Sequence, residues 1–271
     1  MIKGIDVSSV QGISINWHEV AATGVQFVVV KCGNGNDGID PDFARNIAGA
    51  KAAGLEVVCY HFVYPLPPKA GDPSRSPQAQ AQKHFDASQG VLAACDLEWP
   101  EPKDWAHWGC TAAQINQWGL EYLAAYSALS GRPMIIYTYP NFAQNIKYTV
   151  GYAQYPLWIA SYAATPTIPA PWADWVLWQI SGGTGPDAAH LPNGTPVDAD
   201  VAKDLSLWQS FATNVSSNSP VNDPNPASVT NDPNPVPDPT IPAPVPASPA
   251  PINANFFTAI GGIISKLFSS K

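Results

Sequence analysis

The sequence predicts an α/β protein: an irregular TIM-like (β/α) barrel, followed by a Pro-rich linker and a C-terminal amphipathic helix. Three observations predict it. Short β-rich apolar runs alternate with longer helical patterns through about residue 211. Several of those runs are continuously apolar, as parallel strands buried on both faces are. Beyond them the composition changes abruptly. The chain has 271 residues, 45% of them hydrophobic, enough for a sizeable core and too many for a wholly disordered chain.

Eight runs read as strands: 2–7, 26–31, 56–63, 91–98, 134–138, 157–161, 176–180 and 196–201. Helical patterns at 41–53, 78–88 and 112–129 separate the early ones, while the later connections are poor in helix. A barrel that is regular in its first half and irregular in its second accounts for this spacing. Val28-Val29-Val30 and Ile135-Ile136 have the branched shape that fills a barrel interior. The barrel is expected over residues 1–214.

Residues 215–251 are built from Pro, Asn, Asp, Ser, Ala and Thr, with 12 prolines in 37 positions and Asn-Asp-Pro-Asn-Pro occurring twice. Such a stretch buries no core and acts as an extended spacer reaching up to ~115 Å at ~3.1 Å per residue. In 252–271, Phe256, Phe257, Ile260, Ile263, Ile264, Leu267 and Phe268 span roughly 140° of a helical wheel. Lys266 and Lys271 add positive charge. The segment is too short and too Gly/Ser-interrupted for a transmembrane span. It reads as a helix lying on a membrane or lipopolysaccharide surface, or as one that docks on the barrel or self-associates.

Thirteen Lys and Arg stand against 21 Asp and Glu, a net charge of −8 with no basic run, which excludes nucleic acid as a partner. The four cysteines form no C-x-x-C pair and the five histidines make no ligand pattern around them, so neither a metal site nor a cofactor is expected. Cys32, Cys59 and Cys95 sit in strand-like runs and read as small core residues. Met1 leads directly into a strand pattern, so the expectation is a protein made without a cleaved signal. Ten tryptophans read first as core packing and raise stacking on sugar rings only slightly.

Chemistry concentrates at Cys95-Asp96-Leu97-Glu98. Residues i and i+2 of a strand share a face, so Asp96 and Glu98 project together, at the C-terminal end where barrel sites are built. Two neighbouring carboxyl groups disfavour joint ionisation, which keeps one protonated. That pairing suits glycosidic cleavage, although a bare D-x-E also occurs as a solvated strand end. Asp6 ends the first strand and Asp198 lies in the last. First and last strands of a closed barrel are neighbours, so both carboxylates can join the same mouth. Asp200, by contrast, reads as a surface charge.

Gly4-Ile-Asp-Val-Ser-Ser-Val-Gln-Gly12 with Ile15-Asn-Trp17 resembles the opening signature of glycoside hydrolase family 25 lysozymes. Further matches follow in order: Phe27-Val-Val-Val-Lys31, Tyr60-His-Phe62, Asp96-Leu-Glu98, Ile136-Tyr-Thr138, Leu157-Trp-Ile-Ala-Ser-Tyr162, Trp178-Gln179 and Val197-Asp198. The ordered set covers about residues 1–205. The resemblance implies an irregular α/β barrel that hydrolyses the β-1,4 bond between N-acetylmuramic acid and N-acetylglucosamine in peptidoglycan.

By the same resemblance Glu98 is the general acid and later base. Asp96 either orients the substrate's 2-acetamido group or acts as nucleophile, and Asp6 and Asp198 are supporting carboxylates. Lys31, Tyr60, Tyr137, Trp158, Trp178 and Gln179 line the sugar site or pack the core, and His61 reads as a satisfied core residue. The sequence departs from the family at Cys32-Gly-Asn-Gly-Asn36 and at Asp200, where relatives more often have Asn. A phage endolysin, held in the host cytoplasm until release onto the wall, is the leading expectation. A non-catalytic wall-binding or virion structural protein on the same barrel is the alternative.

Overall fold

β-Branched and aromatic runs that cannot be solvated on either face set the architecture. The structure is a computed structural model and describes residues 1–12, 15–35, 37–88, 90–98, 109–183 and 188–204. The linker and amphipathic tail expected at 215–251 and 252–271 lie outside the described residues.

The strands are β1 (Ile2–Val7), β2 (Phe27–Asn34), β3 (Gly38–Ile39), β4 (Glu56–Phe62), β5 (Leu92–Asp96), β6 (Ile135–Thr138), β7 (Leu157–Ala160), β8 (Leu177–Gly182), β9 (Ala189–His190) and β10 (Pro196–Ala202). Parallel pairing runs β1–β2–β4–β5–β6–β7–β8, and β10 joins β8 to β1 to close the ring. The result is a closed barrel of eight strands, with β3 and β9 as short antiparallel additions on β2 and β10. The eight strands fall where the sequence places them, their ends differing by up to three residues, and the difference that bears on the site is at the end of β5. That strand stops at Asp96, so Glu98 stands two residues beyond it rather than inside it.

The last strand is antiparallel to both neighbours. This decides where its acids lie, because the start of β10 rather than its end reaches the C-terminal mouth of the parallel strands. Asp198 thereby becomes the register partner of Asp6.

Side chains alternate between two apolar layers, as pleated strands require. Phe27, Val29, Val58, Leu92, Ala94, Ile135, Tyr137, Trp158 and Leu177 fill the interior. Val28, Val30, Cys59, Cys95, Ile136 and Ile159 pack outward with the helices. Of the branched residues expected inside, Val29 and Ile135 point there, and Val28, Val30 and Ile136 serve the outer layer. Gly4 is glycine because the Phe27 ring crosses its face: a Cβ there would lie 2.2 Å from the ring.

The helices are α1 (Trp17–Ala22), α2 (Phe43–Ala52), α3 (Pro77–Ser88), α4 (Ala112–Ser130) and α5 (Pro140–Ile146). Helix α4 starts with a capping box between Thr111 and Gln114 and ends at Gly131 in the left-handed region. It buries Ile115, Trp118, Tyr122, Leu123 and Tyr126 at helical spacing. Facing it, α3 buries His84, whose Nδ1 is 2.7 Å from the Tyr122 hydroxyl and whose Nε2 is 3.6 Å from Cys59 Sγ. His61, fully buried, stacks on His84 and contacts the Gly35 carbonyl through Nε2 at 3.0 Å. The described stretch between β7 and β8 holds no helix, in keeping with an irregular second half. All four cysteines are buried and unpaired.

Candidate active site

Five acidic side chains gather at the C-terminal mouth. Asp6 comes from the end of β1, Asp96 from the end of β5, Glu98 from just beyond it, and Asp198 and Asp200 from β10. Asp6, Asp96 and Asp200 are buried, and Glu98 and Asp198 half-buried. Lys31 on β2 is the basic residue facing this group, its Nζ 5.8 Å from the Tyr60 ring centroid and 5.6 Å from that of Phe62.

Burial with like-charged neighbours raises the proton affinity of Asp6, Asp96, Asp198 and Asp200. Desolvation, and then Glu98, push Asp96 well above the usual carboxylate range, with Lys31 opposing. Desolvation also raises Asp6 to about 6, against hydrogen bonds from Gln179 and Asp200 that lower it. Asp198 rises to about 7 through burial and the proximity of Asp6. Asp96 Oδ1 is buried with no hydrogen-bond partner among the described residues. An acceptor of that kind is costly to leave empty and is ready for a donor from a bound molecule.

Gln179 on β8 organises the cluster. Its Nε2 donates to Asp6 Oδ2 at 2.8 Å and to Asp198 Oδ2 at 3.4 Å. Its Oε1 accepts from Tyr137 at 3.2 Å and Tyr162 at 2.8 Å. Gln179 faces inward by strand alternation with interior Leu177, and just beyond it a bulge skips Ile180 between the Asp200–Gln179 and Ala199–Ser181 register pairs.

The mouth therefore brings together Asp6, Asp96, Glu98, Asp198, Lys31, Tyr60, Tyr137 and Gln179. Two residues expected to line it lie elsewhere. Trp178 belongs to the outer layer, edge-to-face with Trp175 at 5.7 Å and donating Nε1–H to the Ser161 carbonyl at 2.7 Å. Its neighbour Gln179 takes the inward position, since adjacent strand residues face opposite sides. Trp158 points inward but is only 2% exposed, under the rings of Tyr60 and Tyr137 and bonded through Nε1 to Asp200 Oδ1 at 2.8 Å. It forms floor rather than wall. Asp200 is likewise no surface charge, being 1% exposed.

Sequence reasoning missed Tyr162 and the glycines that admit it. Tyr162 is 63% exposed, yet its hydroxyl is fixed on Gln179. A Cβ at Gly182 would lie 2.6 Å from that hydroxyl, and one at Gly183, whose φ is +66°, 2.9 Å from Asp198 Oδ1. The Gly-Gly pair closing a strand was the available signal. Among the described residues no cluster of acids, cysteines and histidines has the arrangement of a metal site.

The arrangement supplies paired carboxyl groups with elevated proton affinity, a buried empty acceptor and an exposed aromatic ring. Residues 5–184 match the model of glycosyl hydrolases family 25. Lysozyme M1 of Streptomyces globisporus is 30% identical over 192 residues, 66% of this chain and 62% of that protein, so the match spans less than two thirds of that relative. Among solved structures, the muramidase from Trichobolus zukalii superposes with a TM-score of 0.66 at 25% identity, over 79% of this chain and 100% of that one. The bacterial lysozyme from Streptomyces coelicolor gives 0.65 at 26% identity, over 79% and 98%. The family match, running from Ile5 on the first barrel strand to beyond Gln179, establishes that this chain belongs to glycosyl hydrolase family 25.

Proposed function

We propose that this chain is a peptidoglycan hydrolase, a lysozyme that cleaves the β-1,4 bond between N-acetylmuramic acid and N-acetylglucosamine with retention of configuration. The observation that carries the reading is the convergence of Asp96 and Glu98 with Asp6 and Asp198 at one barrel mouth. The muramidase and lysozyme relatives support the bond assignment.

In the resting site the coupled pair Asp96 and Glu98 holds a proton between them. An acetamido N–H of the bound sugar donates to the empty Asp96 Oδ1, which stabilises the Asp96 carboxylate and leaves the proton on Glu98. Glu98 gives it to the glycosidic oxygen, and the C1–O bond breaks with the N-acetylglucosamine 4-hydroxyl as leaving group. C1 is captured from the opposite face by the oxygen of the acetamido group whose N–H donates to Asp96, or by the Asp96 carboxylate itself. Water then attacks C1, its proton passes to Glu98, and the two inversions retain the configuration. Gln179 holds the carboxyl groups of Asp6 and Asp198 beneath the reacting carbon, where Asp6 supplies negative charge.

Digestion of purified peptidoglycan, reduction of the new ends with borohydride and mass spectrometry of the reduced sugar test the reading. Reduced muramic acid ends are expected. Reduced glucosamine ends, or none on several wall types, would overturn it. Bacterial cell-wall lysis, as by a phage endolysin, is the biological role this activity fits. From the sequence of 252–271 we further propose that the apolar, positively charged tail adsorbs to a membrane or lipopolysaccharide surface. Deleting 252–271 is then expected to abolish binding to anionic liposomes while leaving hydrolysis of soluble wall fragments intact.

A further inference from the structure

Asp200 is a buried acid that the reaction above does not use. It stands opposite Gly4 on β1 and Gln179 on β8, so only a hydrogen and a neutral amide flank it in register. From β7, the Trp158 indole donates Nε1–H to its Oδ1 at 2.8 Å. Its Oδ2 is buried and receives no N–H or hydroxyl donor. The acids facing it are Asp198 on its own strand and Asp6 from β1, which is its diagonal neighbour on the same face across Gly4, with no side chain between them in register.

Two carboxyl groups hydrogen-bond only through a proton. Asp6 accepts from Gln179 Nε2 and is drawn by Lys31, whereas Asp200 is flanked in register by Gly4 and Gln179 and its Oδ2 has no donor, so Asp6 is the acceptor and Asp200 the donor. We propose that Asp200 is a positioning residue: a neutral carboxylic acid, clamped by the Trp158 indole, whose proton is donated to Asp6 and fixes that carboxylate beneath the reacting sugar. The electrostatics agree in direction, since burial and Asp6 both raise the proton affinity of Asp200 while its hydrogen bond lowers that of Asp6. Trp158 thus acts on the mouth through Asp200 rather than by touching a ligand. This inference rests on the hydrolase reading for its kinetic consequence but not for the protonation state.

The test compares Asp200→Asn and Asp200→Leu with the full-length wild type. The infrared carbonyl stretch of protonated carboxylic acids, read at neutral pH without substrate, reports the proton directly; Asp200→Asn is expected to lose part of that band. An amide keeps both bonds, its oxygen accepting from Trp158 and its Nδ2 donating to Asp6. Asp200→Asn is therefore expected to retain most of kcat/KM on peptidoglycan and to hold activity at alkaline pH where the wild type declines. Asp200→Leu should lose roughly tenfold or more, the worth of a buried hydrogen bond to a charged acceptor. Its acid limb should move to higher pH, because Asp6 without its donor binds a proton more tightly.

An undiminished band in Asp200→Asn would place the proton elsewhere and overturn the proposal, as would an Asp200→Asn loss as deep as that of Asp200→Leu. If Asp200→Leu does not fold, the band and the pH profile of Asp200→Asn still decide. A wild type that cleaves no wall polymer would defeat the hydrolase reading and leave the infrared result standing.

Discussion

Gln179 donates from Nε2 to Asp6 Oδ2 at 2.8 Å, joining the eighth strand in chain order to the first across the antiparallel strand that closes the barrel. The amide also reaches Asp198, Tyr137 and Tyr162, so both donors and both acceptor positions are occupied. Two carboxylates on one side and two hydroxyls on the other determine which way the amide points. A flipped amide would turn its oxygen onto the acids, and that electrostatic conflict removes the alternative.

Replacing Gln179 with Leu leaves the carboxylates of Asp6 and Asp198 and the hydroxyl of buried Tyr137 without this partner. A buried polar group left unsatisfied costs about 1–3 kcal/mol, so urea denaturation should show a loss of at least that size. Both acids should then bind protons more tightly, and the acid limb of the activity profile should move to higher pH. A variant with wild-type stability and an unmoved profile would show that the network is incidental.

Glu98→Gln keeps the shape of the side chain and removes its proton transfer. Turnover of peptidoglycan is expected to fall ~10²–10⁴-fold, the range of general acid–base catalysis. Because Glu98 stands beyond the strand and is half-buried, the thermal midpoint should change little. Near-wild-type turnover by a folded variant would remove Glu98 from the acid role.

Much of this site was readable in the chain, for identifiable physical reasons. Short β-rich apolar runs, several of them continuous, mark buried strands, so all eight barrel strands were visible, and Asp6 and Asp96 could be placed near strand ends. A run such as Pro-Val-Asp-Ala-Asp-Val carries no sign of its direction, so the antiparallel course of β10 and the Asp6–Asp198 register were not legible. Nor was the burial of Asp200, which depends on Trp158, 42 positions away in the chain. That Gln179 faces in while Trp178, also a candidate, packs outward has a similar cause: the chain does not mark which of two adjacent strand residues the pleat turns inward.

Asp198 opposes folding as pH rises. Its proton affinity is lifted from an ordinary 3.8 to about 7 in the folded protein, so its contribution to stability is complete below pH 3.8 and is lost as pH climbs towards 7. Asp198→Asn is uncharged throughout, and its melting temperature should exceed that of the wild type at neutral pH. The two should converge near pH 4, and hydrolysis should decline although the fold is firmer, as expected where charge is gathered for function. An equal offset at every pH would mean that the carboxyl's titration plays no part.

The two stacked histidines act with the opposite sign. Burial lowers His61 from 6.5 to about 3, and lowers His84 as well. Both are neutral in the folded protein and gain a proton on unfolding once the pH is below 6.5, so the stability they contribute at neutral pH is lost as the pH falls below that value, for His61 down to about 3. Each such proton is worth about 1.4 kcal/mol per pH unit within the window. In His61→Gln the amide can still donate to the Gly35 carbonyl, while the imidazole stack on His84 is gone. That variant should be less stable than the wild type at neutral pH but lose stability less steeply on acidification, by one proton's worth. Urea midpoints across the acid range measure both effects, and a slope identical to the wild type's would show that His61 is already protonated in the folded barrel.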